Sequence, residues 1–144
     1  MYRLLTLVAL LLPPSFAAGQ DQAGLDQPGL AAAAERARGA WFAHDAAGLV
    51  ADSPRLLLQL PGADPSAALG PEQAAALLAD FLSAAQEVET TVRAAREVEP
   101  GRGYVELQRR YRVAGTQEVR TQSLLLGYRR ARQGWSLVEL RVVG

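Results

Sequence analysis

The sequence of 144 residues contains no cysteine, lysine, isoleucine or asparagine, and it has a single histidine. The lack of cysteine excludes disulfides and thiol nucleophiles. One histidine without clustered acids supplies no ligand set for a metal ion, so we predict no metal and no cofactor. The sequence also has neither a Gly-x-Ser-x-Gly motif nor a glycine-rich phosphate loop. We therefore assign no catalytic residue from the sequence.

Because lysine is absent, all fifteen basic residues are arginine, and fifteen acids balance them exactly in formal charge. Lysine, isoleucine and asparagine share AT-rich codons, so a GC-rich genome explains this bias better than function does. The pairs Arg109-Arg110 and Arg129-Arg130 lie in predicted strands, where successive side chains point to opposite faces. With a net charge of zero, the sequence predicts no nucleic-acid partner.

The N-terminus has the pattern of a secretory signal peptide over residues 1–19. Arg3 precedes the apolar run Leu4 to Leu12, and small residues follow near Ala17. The run is shorter than the roughly 20 residues of a spanning helix, which disfavours the alternative of an uncleaved anchor. We predict a periplasmic or secreted protein with no membrane association after cleavage. Residues 20–29 are predicted to be a disordered leader, and residues 30–144 a single domain.

Residues 103–143 predict three consecutive antiparallel strands. If Val113 faces Glu118 across a four-residue loop, Leu107 faces Leu124 and Arg109 faces Gln122. The second loop, residues 132–134, independently places Leu126 opposite Leu140, Leu124 opposite Val142 and Tyr128 opposite Val138. Both turns thus put one apolar set on one face, leaving a mostly polar second face, as antiparallel sheets commonly do.

The rest of the chain predicts a helix over residues 30–44, a short helix after the capping residue Asp45, a strand over residues 55–60, a helix from Pro71 and a strand over residues 87–99. The predicted fold is α+β: N-terminal helices pack on a curved four-stranded antiparallel meander plus one short strand, in a cone. The predicted core consists of Trp41, Leu77, Phe81, Leu107, Leu124, Leu126, Val138 and Leu140.

This element order, with WFAHDAAGLVADSP near the start and QGWSLVELRV at the end, resembles the nuclear transport factor 2-like superfamily of the cystatin-like fold. Within it the chain is most similar to small exported bacterial domains of unknown function. The resemblance implies a cone-shaped pocket. It also implies, in ketosteroid isomerase-like members, a catalytic acid on the strand after the Ala51-Asp52 pair. The corresponding residues here, Leu56 to Leu58, are apolar, so the resemblance does not carry that acid over.

Arg109 is predicted to lie on the otherwise apolar face, with polar neighbours towards one end of the cone. An unpaired buried guanidinium is costly, so it needs an anion. We predict a half-apolar pocket in which Arg109 binds an anionic group. The other predicted ligand-binding residues are Gln122, Tyr111, Arg120 and His44. Two alternatives for Arg109 are pairing with a structural acid, such as Asp45 or Asp80, and reaching solvent at the open end.

Three functions remain open from the sequence. A non-catalytic domain that binds a small ligand or a protein partner, through the cone pocket or the sheet face, is favoured. An enzyme of the isomerase, dehydratase or hydrolase type is the second, and His44 beside Asp45 is its candidate base, although adjacent helical residues face apart. A structural homodimer is the third, formed weakly through an outer apolar patch of Trp135, Leu137 and Leu125.

Overall fold

Residues 28–144 are described by a computed structural model of the protein. The predicted signal peptide and the predicted leader up to residue 27 lie outside the described residues. The end of that leader differs from the prediction, because the first helix begins at Pro28. Within the described part, no helix has the length and hydropathy of a membrane span.

Three helices cover one face of the sheet: α1 (Pro28–Phe42), α2 (Ala46–Leu49) and α3 (Pro71–Ser83). The inner side of α1 is apolar and buried, and it carries Leu30, Ala33, Ala34, Ala37 and Trp41. Asp45 caps α2 as predicted, since its Oδ1 accepts a hydrogen bond of 2.9 Å from the backbone N–H of Gly48. The inner side of α3 carries Ala74, Leu78 and Leu82. Leu77 was predicted to be buried there but is 46% exposed.

Five strands form one sheet: β1 (Leu57–Gln59), β2 (Ala85–Glu99), β3 (Arg102–Val113), β4 (Val119–Ala131) and β5 (Gly134–Val143). The spatial order is β1-β5-β4-β3-β2, and β1 runs parallel to β5 while the other pairs are antiparallel. This is the predicted α+β architecture of a four-stranded meander with one short added strand.

The hairpin of β3 and β4 has the predicted register. Leu107 pairs with Leu124 and Arg109 pairs with Gln122. The inner face of β3, β4 and β5 is buried against the helices, with Leu107, Leu124 and Leu140 at 0% exposure. The core therefore lies between α1, α3 and the middle of the meander.

The hairpin of β4 and β5 contains a β-bulge, and its register differs from the prediction beyond that point. The register shifts between Gly127 and Tyr128, so Tyr128 pairs with Leu137 instead of Val138. The shift turns Leu137 and Trp135 to the inner face, where Trp135 is only 7% exposed, and it leaves Val138 half-buried.

The absence of a side chain at Gly103 makes room for Trp135 on the inner face. A Cβ atom on Gly103 would lie 2.7 Å from a methyl carbon of Leu30 and 3.3 Å from the Trp135 ring, so glycine is needed for this packing.

The inner placement of Trp135 changes the surface that was expected to form a homodimer. Of the predicted outer patch, Trp135 and Leu137 are buried in the core, and only Leu125 is partly accessible to solvent. Dimerisation itself stays a prediction, without the surface that motivated it.

Strand β2 also departs from simple alternation, with register shifts between Glu87 and Glu89, between Val92 and Ala94, and near its end. These bulges place Thr90 opposite Arg109. They also turn the Glu87 side chain inward, where it is 2% exposed.

Candidate functional site

Arg109 lies inside the cone and is paired with an acid of the protein. Only 1% of its surface is exposed. Its Nε donates to Oε2 of Glu87 at 3.2 Å, and its Nη2 donates to Oε1 of the same carboxylate. Its Nη1 donates to Oε1 of Gln122 at 3.3 Å. This fork-on-carboxylate geometry is the strongest pairing that arginine forms.

Aromatic rings enclose the same guanidinium. The Arg109 Cζ atom lies 4.0 Å from the ring centre of Tyr111, 5.1 Å from that of Trp41 and 5.7 Å from that of Phe81. Cations are attracted to ring faces at these distances. Beside it, Nε1 of Trp41 and Oγ1 of Thr90 are buried without a hydrogen-bond partner among residues 28–144.

His44 joins this group through Glu87. Its Nε2 lies 3.2 Å from Oε1 of Glu87, and its side chain stays partly exposed. The backbone of His44 has a φ of 56°, in the left-handed region that ends α1 and leads into the cap of α2. Its partner is thus Glu87, and the predicted partner Asp45 is occupied by the cap. We refer to His44, Glu87, Arg109 and Gln122 as the arginine cluster.

The structure brings four of the five predicted ligand-binding residues together: Arg109, Gln122, Tyr111 and His44. Arg120 lies outside, because its exposed side chain pairs with Glu118 at 2.9 and 3.2 Å. That hydrogen bond is the main cause of the raised pKa of Arg120. Glu87 was missed as a member of the cluster, since simple alternation placed it on the outer face and only the bulge turns it inward.

Glu87 changes the role that the sequence suggested for Arg109. The buried positive charge is already compensated by a buried carboxylate, and three donors of the guanidinium are engaged. An anionic ligand at this position would have to displace Glu87 from the interior. The geometry therefore favours the structural-acid alternative, with Glu87 in place of the expected Asp45 or Asp80.

A cleft opens at a different place, between α1, α2, the segment after α2 and the β4–β5 hairpin. Its inner chamber has a volume of about 110 Å³. An outer chamber of about 600 Å³ adjoins it and shares four of its lining residues. The shared residues are Arg36, Asp52, Ser53 and Trp135. We call the two chambers together the cleft; neither reaches the arginine cluster.

The inner chamber contains polar groups without protein partners. Ser53 is 2% exposed, and its Oγ has no hydrogen-bond partner in the described part of the chain. Tyr128 is 5% exposed, and its hydroxyl makes no hydrogen bond within residues 28–144. Burial raises the pKa of Tyr128, and nearby Arg36 acts in the opposite direction. The hydroxyl therefore stays protonated and able to donate.

Two opposite charges flank the cleft. Arg36 on α1 and Asp52 after α2 are both exposed, and neither forms an ion pair with another described residue. The remaining walls are apolar, from the small residues of α1 to Leu137. Sequence reasoning missed this site because its walls come from distant segments and from the bulge that brings Tyr128 and Leu137 together. Among residues 28–144, no three His, Cys, Asp or Glu side chains are grouped as metal ligands.

No protein-family model matches the sequence, and no curated protein matches it either. Solved structures do match. A domain of unknown function with a cystatin-like fold from Nostoc punctiforme aligns with a TM-score of 0.65 at 17% identity, over 83% of this chain and 76% of the other. A ketosteroid isomerase-like protein from Erwinia carotovora atroseptica gives 0.63 at 16% identity, over 78% and 91%.

A nuclear transport factor 2-like protein of unknown function from Shewanella oneidensis gives a TM-score of 0.60 at 10% identity, over 81% of this chain and 98% of the other. The similarity of these structures lies in the curved sheet and its helices. The chain therefore has the nuclear transport factor 2-like, cystatin-like fold predicted from its sequence.

Proposed function

We propose that the protein is a non-catalytic, exported binding domain that holds a small ligand in the cleft. The observation that carries this proposal is the buried, unpartnered hydroxyl of Ser53 in the wall of a cavity. Buried polar groups normally have partners, and an exception in the wall of a cavity leaves a site for a water molecule or a ligand. Trp41 Nε1 and Thr90 Oγ1 also lack partners among residues 28–144, but neither residue lines the cleft. Concave sites with apolar walls and a few convergent polar groups are the usual form of ligand pockets.

The volumes support a small ligand. The outer chamber of about 600 Å³ falls within the roughly 300–1,000 Å³ of ligand pockets. The inner chamber of about 110 Å³ is smaller than the roughly 150 Å³ cavity that accepts benzene, so it suits the polar end of a ligand.

A binding role suits the chemistry of the cleft better than catalysis does. The single histidine belongs to the arginine cluster and does not line the cleft. Strand β1 carries Leu57, Leu58 and Gln59, so it has no acid to act as a general base. The cleft offers hydrogen-bond donors, apolar contact and one exposed carboxylate, Asp52, with no histidine beside it.

Export is part of the proposal and rests on the pattern of residues 1–19. N-terminal sequencing of the mature protein tests it. A start near residues 18–20 on soluble protein supports export, and Met1 on a membrane-bound form contradicts it.

Obstruction of the cleft tests the binding proposal. Ala51 is exposed and lines the outer chamber, so Ala51→Trp should fill the entrance without disturbing the core. Ala63, exposed in the loop after β1, provides the matched control Ala63→Trp. A panel of small aromatic and aliphatic acids, amides and alcohols is screened by ligand-observed NMR.

We expect wild type and Ala63→Trp to bind members of the panel, and Ala51→Trp to lose that binding while its circular dichroism spectrum stays unchanged. Equal binding by Ala51→Trp, or no binding by wild type, contradicts the proposal.

A further inference from the structure

We infer that the ligand of the cleft is a carboxylic acid whose carboxylate enters the inner chamber, with its apolar body in the outer chamber against Trp135. This inference rests on the proposed function and specifies its ligand class. It concerns a site at Arg36, Ser53 and Tyr128, separate from the anion site that the sequence suggested at Arg109.

The polar groups of the inner chamber are rich in donors. Arg36 has five N–H donors and no acceptor, and it forms no ion pair with another described residue. Tyr128 keeps its proton because burial raises its pKa, so its hydroxyl can donate. The Ser53 hydroxyl can donate as well. Three donors around one small chamber are complementary to the oxygens of a carboxylate, which accepts and does not donate when ionised.

The shape of the cleft sets the orientation of the ligand. The inner chamber, at about 110 Å³, is smaller than the roughly 150 Å³ cavity that accepts benzene, so it suits the carboxylate better than the body of the ligand. The wider chamber has the apolar surfaces of Ala51, Pro54, Pro71 and Trp135. The Trp135 indole is fixed there, because Arg130 lies over its ring at 4.9 Å.

Charged side chains of both signs line the outer chamber. Asp52 lines both chambers, together with Arg36. Arg132 lines the outer chamber as well, so basic side chains outnumber acidic ones there. This excess of positive charge favours an anionic ligand over a neutral one, since unlike charges attract at close range.

Two acid–amide pairs, benzoate with benzamide and hexanoate with hexanamide, test the inference by isothermal titration calorimetry at low salt. Within each pair the body is the same and the charge differs. We expect each acid to bind at least about tenfold more tightly than its amide, since hydrogen bonds to charged groups are stronger than neutral ones. Added salt should weaken the acids selectively.

Four variants locate the effect. Arg36→Gln, at an exposed helical position, should weaken the acids about tenfold or more and leave the amides nearly unchanged. Arg129→Gln, which removes an exposed arginine of β4 outside the cleft, should change neither. Tyr128→Phe provides a second test if Arg36→Gln folds poorly. Asp52→Asn should strengthen acid binding, because it removes the like charge.

The outcomes separate this inference from the proposed function. If acids and amides bind equally and Ala51→Trp abolishes both, the anionic class is wrong and the binding cleft stands. If Arg36→Gln and Arg129→Gln weaken the acids equally, the preference comes from overall charge and the inference is overturned. If wild type binds none of the four probes and no member of the fragment panel, both fail.

Discussion

The arginine cluster and the cleft both bury polar groups beneath one sheet, but they differ in what the chain supplies for the central group. The chain compensates the buried charge of Arg109, although Trp41 Nε1 and Thr90 Oγ1 beside it lack partners among residues 28–144. At the arginine cluster, Glu87 and Gln122 engage a guanidinium that is 1% exposed. In the cleft, Ser53 and Tyr128 are almost as deeply buried and have no such partner within residues 28–144. A buried charge therefore indicates a ligand only when its compensation is missing from the protein.

Removal of the acid of the arginine cluster should have the largest effect on stability. Glu87→Gln leaves the Arg109 charge buried without a counter-charge, and loss of one partner of a buried ion pair costs about 3–5 kcal/mol. Urea unfolding followed by circular dichroism measures the loss.

The control is Glu89→Gln, which removes an exposed acid paired with Arg110 at 3.1 Å and should cost about 0–1 kcal/mol. The double variant Glu87→Leu/Arg109→Leu should recover much of the stability, because it removes both charges together. A cost for Glu87→Gln as small as that of the control would mean that Arg109 is not held by Glu87.

The buried Tyr128 hydroxyl in the cleft should make the stability of the protein depend on pH in the alkaline range. The pKa of Tyr128 is raised above its usual value of about 10, so the folded protein keeps a proton that the unfolded chain releases. The contribution of Tyr128 to the free energy of unfolding is fully present below about pH 10. It is lost as the pH rises above that value, at about 1.4 kcal/mol per pH unit. Urea unfolding of wild type and Tyr128→Phe between pH 9 and 11 measures this.

The difference between the two proteins isolates Tyr128 from the other tyrosines. Tyr128→Phe should lose less stability over that pH range, by about 1 kcal/mol. Parallel curves for the two proteins would show that the Tyr128 hydroxyl is solvated in the cleft.

The smallest effect on stability is expected when the unpartnered Ser53 hydroxyl of the cleft is removed. Ser53→Ala removes a hydroxyl that makes no protein hydrogen bond, so the free energy of unfolding should change by less than about 0.5 kcal/mol or increase. The measurement is urea unfolding without added ligand, with the fully buried Ala74→Ser as the converse change. A loss above about 1 kcal/mol for Ser53→Ala would reveal a structural hydrogen bond at Ser53.

The regular parts of the fold were predictable because two local signals agreed. In the β3–β4 hairpin, the turn and the alternation of apolar residues specify one register, and Leu107 opposite Leu124 confirms it. Asp45 was recognised as a cap because its residue type and position are specific for helix starts. These signals involve residues that are close in sequence.

The bulges account for most of what the sequence concealed. A bulge adds one residue to a strand and reverses the facing of the residues beyond it, and nothing in the alternation pattern marks its position. One bulge turns Glu87 into the core beside Arg109, and another turns Trp135 and Leu137 inward. Both errors arise because the prediction continued the inward and outward alternation of side chains across the extra residue of a bulge. The cleft depends on the second bulge and on packing between distant segments.

The difference between the arginine cluster and the cleft is tested most directly by ¹H–¹⁵N NMR. Wild-type protein is titrated with benzoate, and the chemical shift of each backbone amide is followed. We expect the shifts to concentrate at the cleft, in the amides of Ser53 and Gly48 and in the indole N–H of Trp135. The amides of His44 and Gln122 should keep their positions in the spectrum. Shifts centred on His44 and Gln122, with Ser53 and Trp135 unchanged, would instead identify Arg109 as the anion-binding residue and rule out the cleft.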